Sequence, residues 1–147
     1  MDETLTSYER NQALYAHLSG LLALTGLPFA HVVGPLVFYL VARERTSKFA
    51  LDNAREALNF QITSGIVMLV AIVAYIVAFV RLMMRLPFGH DAVPPPSVFA
   101  SFGIAFVFIG IAMLYMLFDF VCVVIAALAV SRGESYRYPL SIRFVKP

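Results

Sequence analysis

Three stretches of this chain contain no Asp, Glu, Lys or Arg: Asn11 to Ala42, Ala57 to Val80 and Ala92 to Phe118, of 32, 24 and 27 residues. Most of their residues are Leu, Ile, Val, Phe, Ala and Met. A helix of roughly 20 apolar residues is enough to cross the ~30 Å hydrocarbon core of a bilayer. The chain is only 147 residues long, yet 61% of it is hydrophobic and its mean hydropathy is +0.82. One soluble core of that size cannot hide so much apolar surface, so lipid must cover it. The expected fold class is all-α, an integral membrane four-helix bundle in a single domain.

Composition narrows the function classes. A formal net charge of +2 is too small for a nucleic-acid partner. The single Cys122 excludes an intramolecular disulfide and a cysteine metal cluster. Asp2, Glu3 and Glu9 stand against one Arg10 at the start, the reverse of a basic signal-peptide region, so the first apolar run reads as a retained helix. Asp2 also occupies the position where myristoylation needs Gly.

The helices are expected at about 8–26, 30–43, 53–86 and 97–131, with a polar C-terminal tail over 132–147. Ser7 offers a first N-cap, and Gly26-Leu27-Pro28 stops that helix, because Pro28 lacks a donor and pushes Leu27 out of helical geometry. The first two helices are short and form a hairpin. Asp52 or Asn53, with Glu56 three residues after Asn53, reads as the cap of a long third helix. Pro87, Gly89 and Pro94-Pro95-Pro96 make a stiff loop, Ser97 caps the fourth helix, and Gly133 ends it. Arg43, Arg45, Lys48 and Arg55 in the hinge, and Arg132, Arg137, Arg143 and Lys146 in the tail, put both on the cytoplasmic side. Four crossings, the favoured count, place the N-terminus inside as well; three, with the first two helices forming one bent span, place it outside.

Asp119 is the one acid embedded in an apolar run, Leu117-Phe118-Asp119-Phe120-Val121. It reads as a hydrogen-bonded acid joining helices, with proton or ion handling as the alternative. His17 has Asp119, or Asn59 and Gln61, as expected partners, and an inter-helix hydrogen bond is its plainest role. His31 and His90 fall near expected loops and read as solvated. Three scattered His are no metal set, and no nucleophile elbow, Walker loop or dinucleotide fingerprint occurs. No catalytic, metal or cofactor-binding residue is expected. Ala71, Ala74, Ala78, Gly103 and Gly110 recur at the spacing of a helix-packing seam. Tyr8, Tyr39, Tyr136 and Tyr138 fall at expected interfaces.

Several blocks are more specific than generic membrane helix. They are Glu9-Arg10, Ala16-His17-Leu18-Ser19, Val33-Gly34-Pro35-Leu36, Glu56-Ala57-Leu58-Asn59-Phe60-Gln61-Ile62-Thr63, and the tail Gly133 to Phe144 with its Tyr136-Arg137-Tyr138-Pro139 core. Together they resemble a family of small bacterial membrane proteins similar to the chloroplast inner-envelope import-channel subunit of the Tic-twenty type. That resemblance implies four helices with both ends on one side of a bacterial inner membrane, and a role related to protein translocation.

Read physically, Glu56, Asn59 and Gln61 lie at the mouth of the third helix, where the tail emerges from the fourth. Glu56 or Glu134 can pair with Arg137 or Arg143, and Pro139 keeps the tail extended. These residues, with Tyr136 and Tyr138, make either a clasp closing the bundle or a docking surface. The expected function is a non-catalytic scaffold, assembly factor or translocation-related subunit. The alternative is a small oligomeric channel or transporter using Asp119 and His17. Expected partners are the lipid bilayer together with a protein subunit or further copies of the chain, with no nucleic acid and no cofactor.

Overall fold

The structure, a computed structural model, describes residues 5–27, 29–44, 47–84 and 96–146, without the side chain of residue 97. The expectations placed on Pro28, Arg45 and the 85–95 loop with Pro87, Gly89 and His90 lie outside these residues, as does the Ser97 side chain expected to cap the fourth helix. Among the described residues there are four α-helices: α1 (Ser7–Leu18), α2 (Ala30–Arg43), α3 (Lys48–Met83) and α4 (Pro96–Ser131). A 3-10 segment, Ser19–Thr25, continues α1. The all-helical class read from the sequence is the class observed.

Local chemistry explains where the helices begin. Thr6, not Ser7, caps α1: its N–H donates to Glu9 Oε2 at 2.9 Å, and the Glu9 N–H donates to Thr6 Oγ1 at 3.2 Å. This box needs an acceptor side chain three residues past the cap. Glu9 supplies one to Thr6, whereas Arg10 could not serve Ser7. The same logic relocates the start of α3. Ser47 Oγ accepts the Ala50 N–H at 3.3 Å, five residues before the expected cap at Asp52. Asn53 is therefore inside the helix, and its amide is free for other work. At the far end of α4, Gly133 takes φ 82°, with its N–H on Val130 O at 2.9 Å and the Glu134 N–H on Ala129 O at 3.1 Å. Those two bonds are a Schellman stop.

The chain divides into two compact units, Met1–Gly65 with Phe118–Pro147, and Ile66–Leu117. The first holds a core of Ala16, Ala42, Ala50, Ala54, Ala57, Phe60, Cys122, Val123, Ala126 and Tyr138. Six of the ten are Ala, so backbones approach closely. The expected seam lies elsewhere: Ala74, Ala78, Gly103 and Gly110 are exposed and Ala71 is half-buried. They belong to helix segments that are apolar all round, where a small residue marks no packing face. Tyr138 is likewise a core residue and not an interfacial anchor, at 5% exposure. Pro139 and Leu140 form a turn, with Leu140 at φ 60°, where an extended tail was expected.

The second unit consists of the Ile66–Leu117 parts of α3 and α4. Tyr75 and Phe79 stack within it at 6.2 Å between ring centroids. Two helical stretches, Lys48–Met83 and Val98–Ser131, are long and apolar enough to cross a membrane, with mean hydropathy 2.7 and 2.5 over their most apolar 18 residues. Only 6% and 28% of those windows are buried, so neither is the core helix of a soluble protein. The chain is a membrane protein. Length supports a crossing for these two; α2, at 14 residues, is shorter than the bilayer core is thick.

Gly34 in α2 marks a close approach to the 3-10 segment. A Cβ there would lie 2.6 Å from Ser19 Cβ and 3.0 Å from the Ser19 carbonyl oxygen. Gly34→Ala should therefore lower the thermal midpoint in detergent, at an overpacking cost of about 1–3 kcal/mol. An unchanged midpoint would contradict this packing of α2 on the 3-10 segment.

Candidate functional site

A polar stripe runs along the first turns of α3: Asn53, Glu56, Asn59 and Thr63, at helical spacings of three, three and four residues. Those spacings place all four on one face. The tail lies on that face and is fastened to it mainly through its own backbone. Asn53 Oδ1 accepts the Tyr136 N–H at 3.2 Å. Asn59 takes both backbone groups of Val145, accepting its N–H at 2.8 Å and donating to its carbonyl at 3.0 Å. Thr63 Oγ1 accepts the Ile142 N–H at 3.0 Å while its own hydroxyl donates to Asn59 O at 2.8 Å. Glu56 adds an ion pair to Arg143 at 3.3 Å.

His17 joins this stripe from α1. Its Nε2 lies 3.3 Å from Asn53 Oδ1 and its Nδ1 lies 2.9 Å from the Tyr138 hydroxyl. An amide oxygen has no proton to give, so Nε2 is the donor and Nδ1 is left to receive the Tyr138 O–H. Asn53 completes its own amide by donating to Phe49 O at 2.9 Å. Tyr138 lies flat on Phe60, with centroids 4.0 Å apart and planes 7° from parallel, and Tyr136 meets its edge at 5.2 Å. One tail ring thus joins α1, α3 and the tail itself.

The residues singled out in the sequence do not all meet. Glu56, Asn59, Tyr136, Tyr138 and Arg143 share the clasp, and His17 belongs with them. Asp119 is apart from His17: it accepts the Ser64 hydroxyl at 2.8 Å, buried between α3 and α4. Gln61 is buried where a Cβ on Gly20 would come within 2.5 Å of its Nε2. Arg137 is exposed and makes no ion pair with a described residue, and Glu134 faces Arg132 at 3.7 Å. Of the four acid–base pairings offered by Glu56 and Glu134 with Arg137 and Arg143, only Glu56–Arg143 forms. His31 was expected in solvent but is half-buried in α2, its Nε2 3.1 Å from where a Cβ on Gly65 would stand.

Asn53, Thr63, Ser64 and Phe60 were not read as site residues. The stripe spacing was available as a signal for Asn53 and Thr63, but placing the cap at Asn53 put that residue outside the helix. Among the described residues, no three of His, Cys, Asp and Glu converge on a metal-sized site. Asn53, Asn59 and Thr63 are engaged with backbone, an arrangement that holds chain in place, while Glu56 gives Oε1 to Arg143 and leaves its buried Oε2 without a partner.

The pattern of the magnetosome magnetite crystal formation protein family, MamF_MmsF, matches residues 8–145. The chain belongs to that family. The match takes in α1, α2, α3, α4 and nearly all of the fastened tail. It overturns the resemblance to the Tic-twenty type: the blocks Glu56 to Thr63 and Gly133 to Phe144 that carried it lie inside the MamF_MmsF match. Those blocks are the two sides of the clasp. No curated protein and no solved structure matches the chain.

Tyr138 gives the clasp a test by substitution and by pH. Tyr138→Phe keeps the stack on Phe60 but leaves His17 Nδ1 without a donor, at a cost of about 1–3 kcal/mol. Tyr138→Ala removes the ring as well and should cost about 3–5 kcal/mol. Equal losses in thermal unfolding would contradict the separate roles of ring and hydroxyl. Burial also holds the Tyr138 phenol well above its usual 10. The folded chain therefore keeps that proton more tightly than the unfolded chain does. This contribution is intact below pH 10 and is lost as pH rises past it toward the folded value. Stability followed in alkaline buffer should fall in the wild type, and Tyr138→Phe should lack that extra limb.

Proposed function

We propose that this chain is a non-catalytic scaffold of the magnetosome membrane, acting in magnetite crystal formation by holding a fixed polar surface against the bilayer. The family match supplies the process, and the clasp supplies the observation that carries the reading. Asn53, Asn59 and Thr63, the polar residues best placed for chemistry, hold tail backbone in position. A scaffold needs that fixity; an acid–base site needs groups left open to a substrate. The excess of Lys and Arg in the hinge and tail favours a cytoplasmic position for the clasped surface.

The transporter alternative rested on Asp119 and His17 acting together. His17 is engaged with Asn53 and Tyr138, and Asp119 with Ser64, so each has its own partners. Asp119→Asn separates the two readings, because an amide oxygen still accepts the Ser64 hydroxyl while the ionisable carboxyl is gone. The test is expression in a magnetite-forming bacterium deleted for its own members of this family, with crystal dimensions measured by electron microscopy. Wild type and Asp119→Asn should both restore crystal size, while Asn59→Leu, which frees Val145, should reach the membrane and fail. Wild-type protein that inserts in the magnetosome membrane and leaves crystal size unchanged would overturn the proposal. Loss of function in a stably inserted Asp119→Asn would overturn its non-transporting part.

A further inference from the structure

The tail carries a feature that the clasp leaves unused. Leu140, Ile142 and Phe144 are 82%, 57% and 48% exposed, while the backbone beside them is held by Thr63 and Asn59. Leu140 also sits at φ 60°, a left-handed conformation that a branched side chain rarely takes. The turn thus holds a large apolar side chain outward, although a polar residue or Gly would adopt that backbone more easily. Water is a poor neighbour for three such side chains in five residues.

Position along α3 indicates what covers them. Ile142 is bonded at Thr63, seven residues past Glu56 and so ~10 Å further along the helix axis, inside the uncharged run Ala57 to Val80. The tail therefore returns beside α3 three residues before Ile66, where the exposed apolar part of that helix begins. It is also basic: residues 132–146 hold Arg132, Arg137, Arg143 and Lys146 against the single acid Glu134. Arg143 is tied to Glu56 and Arg132 to Glu134, while Arg137 and Lys146 are exposed and in no ion pair with a described residue. Apolar side chains at the acyl boundary with cations above them fit a surface of anionic lipid. Arg137 matches phosphate oxygens with a planar fork, and Lys146 as a point charge.

We infer that residues 137–146 form an interfacial lipid-binding strap, with Leu140, Ile142 and Phe144 set into the membrane boundary and Arg137 and Lys146 on anionic phospholipid headgroups. The inference is independent of magnetite and stands or falls on lipid contact alone. The chain contains no Trp, so one introduced residue reports without background.

Leu140→Trp, at the most exposed position, is reconstituted in the full chain into nanodiscs of phosphatidylcholine with or without phosphatidylglycerol. Lipids brominated near the headgroup then compete with aqueous iodide as quenchers. Bromine should quench the Trp strongly in discs containing phosphatidylglycerol, and iodide should not. Replacing Arg137 and Lys146 with Gln should weaken tail insertion roughly 5-fold per cation, the equivalent of about 1 kcal/mol each at an anionic surface. Inorganic phosphate should leave the signal unchanged, since the source is the lipid and not a free anion. Ile142→Trp repeats the measurement where the left-handed turn is untouched. Quenching by iodide would overturn the inference, as would equal bromine quenching in both disc types. Protection from both quenchers would place a second protein surface there instead and overturn it too.

Discussion

The amide of Asn59 closes on both backbone groups of Val145, and the rest of the first unit is arranged around that kind of bond. A chain segment lying beside a membrane helix cannot leave its N–H and C=O groups to lipid, which offers them nothing. A helix satisfies its own backbone and a strand needs a neighbour, but the tail over 134–146 is neither. Its amides at Tyr136, Ile142 and Val145 are instead taken up by side chains of α3. Each bond contributes about 1 kcal/mol when made and costs more when one buried partner is left behind. The set therefore acts as one fastening, and loss of any member exposes the others.

The fastening requires close packing underneath it. Alanines at 16, 42, 50, 54, 57 and 126 let the helices draw together until a single aromatic, Tyr138, can touch α1 by its hydroxyl and α3 by its face. Bulkier residues at those positions would widen the gap and separate His17 from Tyr138. Gly34 serves the same end by letting α2 rest on Ser19. These small residues look featureless individually, and together they decide where the polar groups meet.

The all-helical class and the membrane setting were legible because they rest on long uncharged runs, which have few other physical solutions. The Gly133 stop was legible for a related reason: a glycine after the last apolar turn of α4 has a well-defined local use. Asn53 was misread because Asn followed three residues later by Glu is also a capping pattern, and Ser47, the real cap, lies ten residues before the uncharged run that starts at Ala57. His17 was assigned the wrong partners because distance along a helix says nothing about which tail ring folds back over it. The seam was sought at Ala71, Ala74, Ala78, Gly103 and Gly110, where spacing is right, but a Cβ on either glycine would meet open space and Ala74 and Ala78 are exposed. The Glu56 and tail blocks were read as marks of a Tic-twenty-like family, whereas the pattern that matches the chain over residues 8–145 is the magnetosome one.

The account depends on the tail being held by α3 rather than lying loosely at its side. Hydrogen exchange of the tail amides, measured on the full chain in lipid nanodiscs, tests that most directly. Tyr136, Ile142 and Val145 should exchange far more slowly than an unstructured peptide of the same sequence. In Asn59→Leu, protection at Val145 should vanish first. Exchange of all three at the unstructured rate in the wild type would show that the clasp does not form, and the account would fail with it.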